Sequence, residues 1–352
     1  MTDLTYRPQF ETLSARFKRF AELECRNNSP LYERLALGIA ADPEILALAA
    51  NAREDQPLPN LFFGAVHLLL LDSKDHPLAA FYPSASPVSD REKDAYPYFR
   101  SFCLDHSKAI IELVRSHLVQ TNEVSRSACL MPAFCLMARQ AGNFPLSLVE
   151  IGASAGLNLL WHHYGYDYGE RERYGDPSSP VQIISEFRGL RRPTIPLEFP
   201  KVALRLGLDL NPIDVCDPQA CLWLRALVWP EHRDRAELLM RALEMARQHP
   251  TDLKAGDALD LLPEVLPDIP PDTALCIYHT HTLNQFSSEA RERLSYLFAE
   301  HSKHRELFVI SIEWTGGAHP QLQLASFDKG KKTERLLGYC DPHGKWLEWL
   351  GG

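Results

Sequence analysis

The chain has 352 residues, 45 % of them apolar and 24 % charged, with a formal net charge of −9. This composition excludes a disordered or fibrous chain and leaves room for two domains. The acidic balance argues against nucleic acid as a main partner, because neutralising phosphates takes clustered Lys and Arg.

Taken in chain order, the first 142 residues read as a helical cap domain. Phe10, Leu13, Phe17 and Phe20 recur at helical spacing. Asp42 followed by Pro43 is a helix start, with NLFFGAVHLLLL a buried helix after it. The proline-rich stretch 77–97 predicts an irregular connection. Phe99, Phe102, His106, Ile110, Leu113, Val114 and Leu118 predict one long amphipathic helix. Another helix is expected from about Glu123 to Gln140, kinked at Pro132 and stopped by Gly142. No segment is long and apolar enough to be a membrane span, and MTDLTYRPQF lacks an apolar signal core. Of the eight cysteines none forms a C-x-x-C pair. A cytoplasmic protein without disulfides is therefore expected.

From 143 to 352 the pattern changes to strands alternating with helices. LSLVEI is nearly all apolar, as a parallel strand covered on both faces must be. Residues 161–200, rich in Tyr, Gly, Arg and Pro, read as an insertion, with VQIISEF as part of a hairpin. VALRLGLDL, TDLKA, TALCIYHTHTL and ELFVISIEW are further strands. Helices are expected from Pro218, over about 233–248, and after the capping Ser287. The segment TGGAHP is too short for a crossover helix, so QLQLASF, TERLLGYC and KWLEWL should pair antiparallel. The expected fold is α/β: a doubly wound, Rossmann-like methyltransferase sheet with an N-terminal helical domain and antiparallel C-terminal strands.

The turn after LSLVEI carries the chemistry. Glu150, Gly152, Ala153, Ser154 and Gly156 form an acid-x-G-x-small-x-G pattern between a strand and a helix start. Small residues let backbone approach a ligand, and helix-start N–H groups favour its polar parts. A class I S-adenosylmethionine-dependent methyltransferase has a turn of this form, and the dinucleotide fingerprint does not fit. In that plan later strand ends contribute too. Asp209 is placed for the ribose hydroxyls, with Glu186 as its rival, and Asp257 with Ala258 lies beside the adenine. His279 and His281 are the candidate bases for a methyl acceptor, expected on one face of their strand, with Thr280 and Asn284 near the substrate. Asn122, Glu123 and Arg126 form a polar cluster read either as a helix start or as a lid over the cleft. No metal-ligand set is recognisable.

The segments VEIGASAGLNLL, GLDLNPIDV with CLWLRALVWPEH, KAGDALDLLP, PHGKWLEWL and QTNEVSRSACLMP resemble a bacterial family known as domain of unknown function 2332. The likeness runs over nearly the whole chain. It implies no established activity, but it implies a fold like that of the S-adenosylmethionine-dependent methyltransferases.

The expected function is transfer of a methyl group from S-adenosylmethionine to an unidentified small molecule. Alignment of the two reactants supplies most of such catalysis. Two alternatives stand beside it. Gly152-Ala-Ser154-Ala-Gly156 also satisfies the G-x-S-x-G elbow of serine hydrolases, with Asp257 or Asp272 as acid and His279, His281 or His343 as base. The upstream region, however, is helical where such hydrolases need strands. The other alternative is a protein that keeps the fold without the chemistry. The methyl acceptor and the oligomeric state are not legible.

Overall fold

The computed structural model describes residues 7–72, 75–86, 94–169 and 172–351. Its α-helices run, in chain order, α1 (Arg7–Phe20), α2 (Pro30–Ala40), α3 (Pro43–Ala49), α4 (Leu58–Asp72), α5 (Tyr96–Asp105), α6 (Ser107–Ser116), α7 (Ser127–Gln140), α8 (Pro218–Leu227), α9 (Arg233–Gln248), α10 (Ala258–Val265) and α11 (Ser288–His301). The strands are β1 (Leu146–Ile151), β2 (Gly165–Asp167), β3 (Arg173–Gly175), β4 (Gln182–Ile184), β5 (Phe187–Arg188), β6 (Val202–Asp209), β7 (Asp252–Ala255), β8 (Ala274–Thr280), β9 (Leu307–Glu313), β10 (Gln321–Asp328), β11 (Lys331–Cys340) and β12 (Leu347–Trp349). No described helix is long and apolar enough to cross a membrane.

The chain divides into two compact units. One contains residues 1–121 and 218–237, the other 122–217 and 238–352. The boundary thus falls at 121, ahead of the expected 142, and α7 belongs with the sheet.

In the helical unit, α3 starts as its sequence dictates. The Asp42 carboxylate accepts from the N–H groups of Glu44 and Ile45 at 3.0 and 3.3 Å, with Pro43 in the first turn. The core is aromatic: Phe63 stacks on Tyr32 with ring centroids 4.2 Å apart, and Phe20 and Phe99 close around it. The apolar helix α4 brings in His67, fully buried. Its Nδ1 pairs with the Ala226 carbonyl at 2.8 Å and its Nε2 with Ser84 Oγ at 2.7 Å. Burial holds this imidazole down to about 4, so it is a neutral strut between α4 and the last turn of α8. That strut is one reason a segment from the middle of the chain completes the helical unit. The expected long helix over 99–118 is two helices. His106 leaves helical geometry (φ −108°, ψ 18°) between α5 and α6. The proline-rich connection begins with a short 3-10 turn over Pro77–Phe81, and residues 87–93 of it lie outside the described residues.

The second unit is built on a nine-stranded, mostly parallel sheet in the order β7-β6-β1-β8-β9-β10-β11-β12-β5. From β7 to β9 all neighbours are parallel, whereas β10, β11 and β12 continue the sheet antiparallel, as the short TGGAHP link requires. Val149 and Ile151 of β1 face a core made with α10 and α11. Leu148 and Glu150 alternate to the other face, where Tyr278 of β8 bonds Glu150 and also packs on Phe134 of α7. Both faces of β1 are buried along its whole length, which accounts for its apolar composition. Chain order reverses at β1: β6 and β7 lie on one side of it, β8 and β9 on the other.

The insertion forms a small three-stranded sheet, β3-β2-β4, and then supplies β5 to the far edge of the main sheet. Most of its aromatic residues are core. Tyr164, Tyr166 and Tyr168 are buried, and Tyr168 stacks on Phe187 at 3.9 Å.

Replacing Phe63 by Ala removes the ring at the centre of the helical unit. The expected cost is about 3–5 kcal/mol of stability, read by chemical denaturation of the full chain.

Candidate functional site

The glycine turn sits at the carboxyl end of β1, where the chain order of the sheet reverses. It is held almost entirely by hydrogen bonds to its backbone. The N–H groups of Gly152 and Ala153 donate to the Leu208 carbonyl of β6 at 2.8 and 3.3 Å. Ser154 N–H donates to Asp209 Oδ2 at 2.8 Å, and Asp209 Oδ1 accepts from Asn211 N–H at 2.8 Å. Ser154 has φ +50°, a conformation that costs an L-residue energy unless its surroundings enforce it. Asp209, at the tip of the adjacent strand, does so. Each of its oxygens keeps a second lone pair for a ligand.

Gly152 is required by its φ of +75° and by space. A Cβ there would lie 2.5 Å from Thr282 Oγ1. A larger residue at this position therefore collides with the protein itself. The turn leads into a seven-residue 3-10 helix, Leu157–His163, where an α-helix start was expected. Its buried face carries Leu157, Leu159, Leu160 and Trp161, which pack into the unit's interior.

The polar cluster upstream lies against this turn. Asn122 spans it: Nδ2 donates to Ser154 Oγ in a short contact, and Oδ1 accepts from Ala155 N–H at 3.3 Å. Glu123 caps Ser125 N–H at 3.4 Å and pairs with His343 Nδ1 at 3.2 Å. Arg126, 8 % exposed, donates to the Pro342 carbonyl at 2.9 Å and to Thr280 Oγ1 at 3.4 Å. Asn122, Glu123, Arg126, Ser154 and Thr280 are thus gathered at one end of the sheet.

Glu150 lies beneath them, 2 % exposed. Its carboxyl accepts from Tyr278 Oη at 3.0 Å and from Asn158 Nδ2 at 3.5 Å, while Asn158 Oδ1 accepts from Ser127 Oγ at 2.9 Å. Burial pushes its pKa up to about 8, against the two hydrogen bonds that favour the anion; Asp209 raises it further. The group is therefore mostly protonated at neutral pH.

His279 and His281 part company. His279, the penultimate residue of β8, is paired in register with Ile151 and points to the α11 face. Its Nδ1 lies 2.8 Å from Glu313 Oε1, which also accepts from the N–H groups of Thr282 and Leu283 at 3.0 and 3.2 Å. Burial opposes ionisation of Glu313, but His279 and the two backbone donors outweigh it and hold the carboxyl below its usual range. An ionised Glu313 selects the His279 tautomer with the proton on Nδ1 and the lone pair on Nε2. That imidazole is an oriented base. His281 comes just after the end of the strand and has φ +54°, so strand alternation no longer applies to it. It lies instead among Arg126, His343 and Glu313, and burial first, then Arg126, lowers its pKa to about 4. The expectation that both histidines share a face fails for this reason.

A cavity of about 260 Å³ opens between α11 and the face of β8–β11. His279, Asn284 and Glu313 line it towards the strand ends.

Other candidates fall elsewhere. Asp257 is the N-cap of α10, accepting from Leu259 N–H at 2.8 Å, with Ala258 the first helical residue. The Gly256 N–H bonds the Asp209 carbonyl at 2.9 Å, so this cap adjoins Asp209. Glu186 is at the opposite edge of the sheet, pairing with Arg188 at 3.2 Å beside β12, and is removed as a rival to Asp209. Asp272 precedes β8, at the far end of that strand from His279. Sequence reasoning missed Asn158, Tyr278 and Glu313. Only Glu313 carried a signal, as the acid ending an apolar strand.

The chain belongs to the family described as an uncharacterized protein conserved in bacteria (DUF2332), whose sequence model matches residues 14–349. No curated protein and no solved structure matches the chain.

Glu150 gives a pH signature. Its folded pKa lies above the unfolded value, so between about 4.5 and about 8 the native state holds a proton that the unfolded chain has lost. Stability from this group is full below the unfolded pKa and is lost as pH rises through the window. Glu150→Gln, isosteric with the neutral acid, should flatten the fall in melting temperature between about pH 5 and pH 8. Parallel melting curves for variant and wild type would contradict the assignment.

Proposed function

We propose that this member of the DUF2332 family is an S-adenosylmethionine-dependent methyltransferase acting on a small molecule. The observation that carries the reading is the acid-bearing glycine turn at the carboxyl end of β1, at the point where strand order reverses. Open α/β sheets bind their ligands at such a point. The order β7-β6-β1-β8-β9 followed by an antiparallel strand is also the order of a Rossmann-like methyltransferase sheet.

In this reading S-adenosylmethionine lies across the ends of β1, β6 and β7. Asp209 takes the ribose hydroxyls with its spare lone pairs, and Asp257 with Ala258 borders the adenine. Gly152, Ala153 and Ser154 admit the cofactor close to backbone. Glu150, neutral when alone, is placed beneath the turn to ionise against the amino group of the methionine part. When bound, the cofactor supplies an electrophilic methyl group on a sulfonium. The protein's share is alignment, exclusion of water and removal of a proton from the acceptor, for which His279 is oriented by Glu313.

The hydrolase alternative shares the left-handed Ser154 with a nucleophile elbow. Its Oγ, however, is bonded by the Asn122 amide, and among the described residues no imidazole bonds it. A serine without a base is not activated.

Calorimetric titration of the full chain with S-adenosylmethionine and S-adenosylhomocysteine tests the proposal. Saturable binding is expected for both; no heat and no thermal shift at millimolar ligand would overturn it. Asp209→Asn keeps an acceptor for Ser154 N–H, gives up the one for Asn211 N–H and loses the charge. It should weaken cofactor binding about tenfold, the size of a charged hydrogen bond, with the fold retained. Unchanged affinity would place the ribose elsewhere. Gly152→Val reports on packing against Thr282 and does not discriminate.

A further inference from the structure

The cavity beneath α11 is sorted by polarity along its length. Towards the amino ends of β9 and α11's last turns it is apolar: Leu294 and Phe298 face Val309, Ala325 and Phe327. Towards the strand ends it is polar, with His279, Glu313 and, from the first turn of α11, Arg291. At the apolar end the β11 border carries Lys332 and Glu334, opposite Phe327 and Ala325 and paired with each other at 2.8 Å.

Two charged groups at the polar end have bonding capacity left for a ligand. Glu313 is 8 % exposed, and while its Oε1 accepts three hydrogen bonds, its buried Oε2 accepts none among the described residues. Leaving such an oxygen unsatisfied costs about 1–3 kcal/mol. The Arg291 guanidinium makes no ion pair with any described residue. A buried carboxylate oxygen with an open lone pair and an exposed guanidinium at the cavity's mouth, next to apolar side chains, are complementary to a zwitterion with an apolar tail. A cavity of about 260 Å³ has room for a small organic molecule.

We propose that this cavity binds an α-amino acid with an apolar side chain of about leucine's size. The ammonium meets Glu313, the carboxylate meets Arg291, and the side chain lies between Phe298 and Ala325. Resting on the methyltransferase reading, the amino acid is also the methyl acceptor. Its ammonium gives one proton to His279 Nε2. The freed nitrogen lone pair forms the N–CH₃ bond as the S–CH₃ bond breaks, its electron pair going to sulfur and leaving a neutral thioether.

Titration of the full chain with L-leucine, 3-methylbutylamine and 4-methylpentanoate, each alone, tests the site. Leucine should bind saturably, and each analogue, lacking one charge, about tenfold or more weakly, a difference of about 1.4 kcal/mol. Arg291→Ala, a change to an exposed side chain, should lower leucine affinity to that of 3-methylbutylamine and leave the amine's affinity unaltered. Ala325→Leu should abolish leucine binding by filling the slot. Failure of leucine to bind at tens of millimolar, or equal binding by wild type and both variants, overturns the proposal. Should the protein bind S-adenosylmethionine but not leucine, the amino-acid site alone falls. Leucine binding without S-adenosylmethionine binding keeps the site and removes only the methyltransferase reading.

Discussion

Everything at the end of the sheet depends on one carboxylate holding one amide. Asp209 grips the N–H of Ser154, and that bond maintains a left-handed serine in the middle of a turn three residues after the strand. The bonds from Gly152 and Ala153 to the Leu208 carbonyl fix the start of the turn, and Asp209 fixes its middle. The acid is itself fixed, being the last residue of a strand in parallel register with β1. Geometry thus passes from the sheet's hydrogen-bond ladder, through a side chain, into the backbone of the turn. Asn122 closes the other side in the same manner, by two bonds from one amide.

Around that turn, electrostatics divide the two faces of the sheet. On the α7 side Glu150 is buried with neutral hydrogen-bond partners and stays protonated. On the α11 side Glu313 is buried against an imidazole and two N–H groups and stays ionised. Deeper burial raises the pKa of one carboxyl group, and hydrogen-bond donors lower that of the other.

Much of this is legible in the chain. The all-apolar LSLVEI, the caps at Asp42 and Ser287, and the link too short for a crossover each specify local structure by local chemistry, and the structure has those elements. The small-residue turn and Asp209 stand out because strand ends and glycine spacing are written consecutively. The features that escape are non-local or conformational. The periodicity over 99–118 is continuous, but His106 breaks it without a proline or glycine to warn of it. Alternation puts His281 beside His279, yet alternation ends where φ turns positive. Glu186 looks near Asp209 because the insertion's destination, the far edge of the sheet, has no signature in its own residues. Glu313 and Tyr278 acquire their roles only when β1, β8 and β9 lie side by side.

The DPHG turn near the chain's end has a consequence for how the site comes into being. Gly344 packs so tightly on Ser125 that a Cβ there would lie 2.0 Å from its carbonyl oxygen, and Pro342 and His343 bond Arg126 and Glu123. The segment that clasps the glycine turn is therefore seated by residues translated more than two hundred positions later. On the ribosome, the turn, its acids and its histidines all emerge before the piece that completes their surroundings. Strands β10 and β11 come shortly before that piece and β12 directly after it, so the surroundings of the glycine turn and the far half of the sheet are completed together, at the end of synthesis.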